Sequence, residues 1–187
     1  VRRLCDESGT LLIFDEIQCG MGRCGSLFAH QAYGVTPDIM TLAKALGNGI
    51  PIGAMLATSD AAAGFDFGSH ASTFGGNPLA SAAAVKVVEI ISSESFLDTV
   101  TEKGNYFMDA LEKLRQKHER VKDVRGRGLL VGLEIDRDAG FFVTELMNQG
   151  FIINGIQDKV LRFAPPLIVE TEQIDRIVKA IDGLLEK

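Results

Sequence analysis

Lys44 is the residue whose setting most asks for a chemical explanation. It is the single charged side chain in residues 39–59, IMTLAKALGNGIPIGAMLATS. Burying an ammonium is costly unless it is paired or neutralised. A membrane span fails as an explanation, because Gly47, Asn48, Gly49 and Pro51 interrupt the run and a central lysine is unfavourable in lipid. Two readings remain. Either the stem packs while the amine snorkels or pairs, or the amine is reactive, held uncharged or as an imine by apolar surroundings, as in Schiff-base chemistry.

Three further groups could act with it. Asp15 closes the apolar run 11–14 and fits either a structural acid or an anion held near a heterocyclic nitrogen or a metal. SHASTFGGNP, residues 69–78, offers the Ser72 and Thr73 hydroxyls, backbone amides near Gly75 and Gly76, and a helix start, which together make an anion site. A plain loop capped by Asn77 is the other reading. Arg162 is the one charge in VLRFAPPLIV. It fits a cleft-facing strand arginine that grips a carboxylate bidentately, or an edge-strand arginine paired with a surface acid. GMGRCG, residues 20–25, matches the dinucleotide fingerprint in letters only. The preceding strand ends in Asp15–Glu16, which repel a pyrophosphate, so a turn with close backbone approach is the better reading.

Other chemistries lack residues. His30, His70 and His118 are scattered, and Cys19 and Cys24 have no second ligand pair at zinc-like spacing, so no metal site is expected. No G-x-S-x-G elbow supports a serine hydrolase.

The elements that must position these groups follow from periodicity. Residues 11–14 read as a strand buried on both faces, as in a parallel sheet. A short helix is expected over 26–33, and strands over 39–42 and 52–57. Asp15 and Lys44 then fall at carboxyl ends of strands, where open α/β sheets gather their ligand contacts. Asn77 followed by Pro78 starts a helix running to about residue 91. Ser95, with Asp98 three residues on, opens a long helix whose Phe96, Val100, Phe107, Leu111 and Leu114 form one stripe. Beyond it come strands over 128–135, 151–154 and 160–163, a helix over 139–148, and a last helix capped by Thr171.

Composition sets the outer limits. The chain has 187 residues, 46% hydrophobic and 24% charged, which fits a soluble globular protein. A net charge of −6 and a pI near 5.1 argue against a nucleic-acid or anionic-membrane partner. Three cysteines, an odd number, point to reduced thiols in a cytoplasmic setting, with a single disulfide pair as the other reading. Residues 11–85 carry only seven charged side chains, whereas the 102 that follow carry 33. The first part therefore reads as a buried sheet or a large interface, and the second as a smaller domain with solvated helices. The expected boundary lies at 93/94.

LLIFDEIQCGMGRCG, PDIMTLAKALGNGIPIGA, STFGGNPLASAAA and LRFAPPLIV, in this order and spacing, resemble the class III (ω-amino) aminotransferases of pyridoxal-phosphate fold type I. AKALGNGIPIGA and STFGGNPLA favour the branch acting on N2-acetylornithine over those acting on ornithine, 4-aminobutyrate or succinylornithine. The resemblance implies an α/β fold: part of a large α/β/α domain with a mostly parallel sheet, then a small α+β C-terminal domain. It implies pyridoxal 5′-phosphate as cofactor, amino-acid and 2-oxo-acid substrates, and a homodimer with shared active sites. Lys44 would carry the cofactor and shuttle a proton, and Asp15 would pair with its ring nitrogen. The segment Asp15, Glu16, Ile17 and Gln18 would line the cofactor, with Gln18 near the phenolic oxygen. Thr73 would bind the phosphate across the dimer interface, Ser72 would touch substrate, and Arg162 would hold an α-carboxylate. Cys19 and Cys24 stand where relatives often carry small residues. The match corresponds to the second half of a family member. The start, VRRLCDESG, lacks a methionine and an apolar signal core, and it looks like a helix cut part-way. A missing N-terminal region, and an incomplete catalyst, are expected.

Overall fold

The computed structural model describes residues 1–186. The chain forms two compact units, Val1–Leu97 and Asp98–Lys187.

In the first unit, helix α1 (Arg2–Ser8) leads into β1 (Ile13–Asp15), and β2 (Ile39–Leu42) runs parallel to it. β3 (Ala54–Ala57) joins the far side of β2 antiparallel, so the sheet order is β1-β2-β3. Asp38 fastens the entry to β2. Its Oδ2 accepts the Leu12 amide at 2.7 Å and the Arg2 Nη1 at 2.8 Å. The amide first, and the guanidinium second, hold this carboxyl below the ordinary carboxylate range. Alternation along β2 sends Met40 and Leu42 into the core with Leu12, Met21 and Leu46.

The expectation of a strand buried on both faces is not met. Leu12 is buried, but Leu11 and Ile13 are 53% and 57% exposed, and β3 is exposed along its whole length. An apolar run is covered only where a second layer lies on it, and this unit supplies no such layer over those faces. The short helix expected at 26–33 is a single 3-10 turn, Ala29–Tyr33. After α2 (Ser59–Ala62), helix α3 (Pro78–Ile91) starts as Asn77–Pro78 dictate: the Asn77 Oδ1 accepts the amides of Leu79 and Ala80 at 3.0 and 3.2 Å.

Helix α4 (Glu94–Lys117) begins one residue before Ser95, and its Val100, Phe107, Leu111 and Leu114 are buried as the stripe requires. The second unit pairs β4 (Val121–Arg127), β5 (Leu130–Ile135), β6 (Asn154–Ile156) and β7 (Val160–Phe163) into an antiparallel sheet ordered β4-β5-β7-β6. Val131, Leu133 and Ile135 of β5 and Leu161 and Phe163 of β7 point to one face, and all are buried. That face meets buried residues of α4, of α5 (Ala139–Asn148) and of α6 (Thr171–Leu185), with Phe163 edge-on to Phe107 at 5.1 Å. The opposite face carries Gly132, Glu134, Val160 and Arg162.

Two local expectations change here. Phe151, Ile152 and Ile153 precede the strand rather than forming it, since β6 starts at Asn154. Glu170, not Thr171, caps α6, in a reciprocal box in which its own amide donates to the Gln173 Oε1 at 2.9 Å. Packing is tight where α4 crosses the β4–β5 turn. A Cβ on Gly104 would lie 2.4 Å from the Gly128 carbonyl oxygen, so only glycine fits there.

Candidate active site

The parallel pairing of β1 and β2 sets the site. Asp15 ends β1 opposite Thr41, and the Glu16 amide donates to the Thr41 carbonyl at 3.0 Å. Lys44 follows Thr41 by three residues and opens the 3-10 turn Lys44–Leu46. A carboxylate and an amine therefore stand at the same, carboxyl-terminal end of adjacent parallel strands, the position from which such sheets contact ligands. The Ile17 amide donates to the Asp15 Oδ1 at 3.0 Å and fixes the direction of that carboxylate.

Lys44 adopts φ +41°, in the left-handed region. For a residue with a Cβ this is strained, by about 1–3 kcal/mol, and such residues gather at functional sites. Its side chain is exposed. Within this chain the ammonium is therefore not buried. The uncharged stretch around it is divided between β2, which is half buried, and β3, where Met55 and Leu56 face out.

Glu16, expected beside a cofactor, does something else. It is 2% exposed, and its Oε2 and Oε1 accept the amides of Ala29 and His30 at 2.8 and 2.7 Å. Its charge is spent on the start of the Ala29–Tyr33 turn, which closes the connection from β1 to β2. The nearby GMGRCG segment is a turn, with Met21, Gly22 and Gly25 at positive φ. Gly20 packs so closely that a Cβ would sit 2.7 Å from the Glu16 carbonyl oxygen. Burial in this turn pulls the Arg23 guanidinium below its ordinary range. Ile17 is half-buried and Gln18 exposed, both in the turn after β1.

Ser72 and Thr73 lie exposed in the loop before α3, and α3 packs against the Lys44–Leu46 turn. The anion reading of this loop needs amending. The Leu79 and Ala80 amides belong to Asn77, and the Gly75 amide donates to the Ser72 carbonyl at 3.3 Å. Hydroxyls, rather than the helix-terminal amides, are what the loop offers.

Arg162 belongs to the second unit. β7 lies between β5 and β6, so the edge-strand alternative does not hold, and the partner of Arg162 is no acid. Its Nη2 donates to the Asn154 Oδ1 at 3.3 Å, while its Nε is buried without a hydrogen-bond partner. The side chain lines a cavity of about 600 Å³ shared with Phe151, Ile152, Asn154, Ala164 and Gln173. Sequence reasoning missed Asn154. The signal was present in the strand register, which pairs it directly with Arg162, but only once β6 is placed correctly.

The family model described as "Aminotransferase class-III" matches residues 1–185. The chain belongs to the class-III aminotransferases. It is 50% identical to the acetylornithine aminotransferase of Caldanaerobacter subterraneus subsp. tengcongensis, over all of this chain and 48% of that protein. The N-acetylornithine aminotransferase structure from Stenotrophomonas maltophilia K279a superposes with a TM-score of 0.86 at 37% identity, over 97% of this chain and 48% of that one. An ornithine aminotransferase structure from Toxoplasma gondii, described with partial occupancy of PLP at its active site, gives 0.90 at 37% identity over 98% and 44%. The α/β architecture is thus that of known class-III aminotransferases. The chain spans about half the length of the curated relatives it matches.

Proposed function

We propose that this chain is the lysine-bearing part of an acetylornithine aminotransferase, which transfers the δ-amino group of N2-acetylornithine to 2-oxoglutarate. The products would be the N-acetylglutamate semialdehyde and glutamate, placing the protein in arginine biosynthesis in the cytoplasm. The observation that carries the reading is the placement of Asp15 and Lys44 at the same end of adjacent parallel strands, with Lys44 held in a strained backbone. Membership of the class-III family and names at about half identity supply the substrate class.

The residues present fit pyridoxal 5′-phosphate. The donor set combines an exposed amine, a carboxylate whose direction is fixed, and hydroxyls on a loop ahead of a helix. When bound, that cofactor supplies an electron sink for breaking a carbon–hydrogen bond next to nitrogen. The protein's own groups do the rest. Lys44 would hold the cofactor through its amine and move the proton. Asp15 would keep a proton on the ring nitrogen, with Ile17 and Gln18 beside the cofactor. Thr73 would bind phosphate and Ser72 would touch substrate. Arg162 would hold a substrate α-carboxylate. Glu16 is omitted from this set, because its carboxylate is occupied by backbone amides.

Likeness to an ornithine aminotransferase keeps a second donor in view. The test is kcat/KM of the full-length protein, with 2-oxoglutarate as acceptor, for acetylornithine, ornithine, succinylornithine, succinyl-diaminopimelate and 4-aminobutyrate. Acetylornithine should lead by about tenfold or more, because polar groups of a site left unpaired by the wrong substrate are costly. A lead by ornithine would move the protein to that branch. The 187-residue chain alone should not turn over acetylornithine at a rate comparable with a full-length relative, and it should bind the cofactor weakly.

A further inference from the structure

Among the described residues Glu16 is the one buried charged side chain, and it directly follows Asp15, the last residue of β1. A carboxylate leaves water only where strong hydrogen bonds offset the loss. Here both oxygens are engaged: Oε2 accepts the Ala29 amide at 2.8 Å and Oε1 the His30 amide at 2.7 Å. The neighbouring chain leaves room for this side chain. A Cβ on Gly20 would lie 3.1 Å from the Glu16 Cβ and 3.2 Å from its Oε2.

These contacts converge on the backbone that carries Asp15. The Asp15 Oδ1 takes the Ile17 amide at 3.0 Å, so its carboxylate points where the Glu16–Ile17 peptide directs it. Glu16 is held at three points. Its amide donates to the Thr41 carbonyl at 3.0 Å, its carbonyl accepts the Gly20 amide at 2.9 Å, and its side chain grips the Ala29–Tyr33 turn. The same turn reaches the residue before Asp15. His30, whose amide Glu16 holds, stacks on Phe28 with ring centroids 5.9 Å apart and meets Phe14 edge-on at 6.3 Å. Asp15 is therefore flanked on both sides by residues tied to one turn, at the end of a strand of only three residues.

We propose that Glu16 is a positioning residue. It pins the corner after β1 to the Ala29–Tyr33 turn and thereby aims the Asp15 carboxylate at the ring nitrogen of the bound cofactor. A charge-assisted hydrogen bond depends on direction as well as distance, so a corner that shifts weakens this bond while the strand pairing survives. The proposal rests on the reading of Asp15 as the ring-nitrogen partner.

The test compares, for full-length apoprotein, the Kd of pyridoxal 5′-phosphate with that of its 1-deaza analogue, in which a C–H replaces the ring nitrogen. The variants are Asp15→Asn, Glu16→Gln, Ala29→Pro and the Asp15→Asn/Glu16→Gln pair. Glu16→Gln keeps the shape but turns one acceptor into a donor that faces an amide. Ala29→Pro removes a donor from the other side. Position 29 opens the turn, and Phe28 already has the extended backbone, φ −126° and ψ 139°, that precedes proline. Wild type should prefer the natural cofactor by about tenfold or more, as for a hydrogen bond between charged groups. Asp15→Asn should bring that preference under about threefold. Glu16→Gln and Ala29→Pro should each reduce it by about threefold or more, and Glu16→Gln should change it less than about twofold in the Asp15→Asn background, because the two act as a unit. A role in folding alone weakens both ligands alike. An unchanged ratio in whichever of Glu16→Gln and Ala29→Pro folds, beside a reduced ratio in Asp15→Asn, overturns the positioning role and leaves the Asp15 reading standing. A reduction that persists at full size without the Asp15 carboxylate overturns it too. A wild type without the preference, or an unchanged ratio in Asp15→Asn, overturns both.

Discussion

The backbone of Lys44 bears more directly on its role than its chemical surroundings do. A left-handed φ at a residue with a Cβ costs about 1–3 kcal/mol and persists only where something else over-determines it. Glycine adopts the same φ without that cost. Lys44→Gly, measured by urea denaturation of the full-length protein without added cofactor, should therefore be more stable than wild type by about 1 kcal/mol, while transamination is lost. Equal or lower stability would mean that the strain is not carried by this residue. At this scale the sequence was legible where a residue type fell at a strand end. Asp15 and Lys44 were placed that way, whereas Arg162 was singled out as the one charge inside a strand. It was misleading about environment. Lys44 was read as an ammonium whose burial asked for an explanation, and in this chain it is exposed; Glu16 was read as part of a ligand site, and it is the buried group, tied to the Ala29 and His30 amides. Counting charges along a segment says nothing about which atoms another layer covers.

Elements with a strong period were readable, and those whose pattern was broken by charge were not. The α4 stripe and the β2 and β7 strands follow directly from spacing, whereas β4, VKDVRGR, hides its strand character behind solvent-facing Lys122 and Arg125. Its pairing is fixed by β5 and by the tight turn beneath Gly104. Gly104→Ala gains helix propensity of about 1 kcal/mol, yet its Cβ would meet the Gly128 carbonyl at 2.4 Å. The clash should win, with a net loss of about 1–3 kcal/mol in denaturant unfolding. A stabilised variant would show that the helix can lift off the turn. Acid should act on the clasp between α4 and α6. The Asp182 carboxylate accepts Lys117 Nζ at 2.8 Å on both oxygens and lies 2.5 Å from His118 Nε2. Lys117 first, and His118 second, hold its carboxyl below the ordinary range. A group whose pKa is depressed by folding adds stability above its unfolded pKa, about 3.9 for aspartate, and loses it as pH falls through the lower folded value. Asp182→Asn should be less stable than wild type at pH 7 and should lose less on acidification through that window, as read from urea midpoints. Parallel pH curves would remove Asp182 from the account.

At the scale of the molecule, the charge-poor first unit leaves apolar side chains uncovered: Ile13, Met55, Phe74 and Leu79 are among them, Phe74 at 80% exposure. Exposed apolar surface on this scale marks an interaction face. The chain spans about half the length of its relatives, so the remainder of a full-length protein is an occupant of this face as much as a second subunit is. The family resemblance implies a homodimer, and sedimentation of full-length protein at micromolar concentration should show one; a monomer would count against the assignment of Thr73 to a neighbouring subunit's cofactor. Sequence patterning separated a charge-poor from a charge-rich part, but it could not tell a buried core from a face awaiting a partner, because both are apolar. The most direct test of the central claim addresses the amine itself. Full-length protein is loaded with pyridoxal 5′-phosphate, reduced with borohydride and mapped by peptide mass spectrometry. The account predicts one stoichiometric phosphopyridoxyl label, on Lys44, that is absent from Lys44→Ala. A label on another lysine, or none on a folded protein, would contradict it.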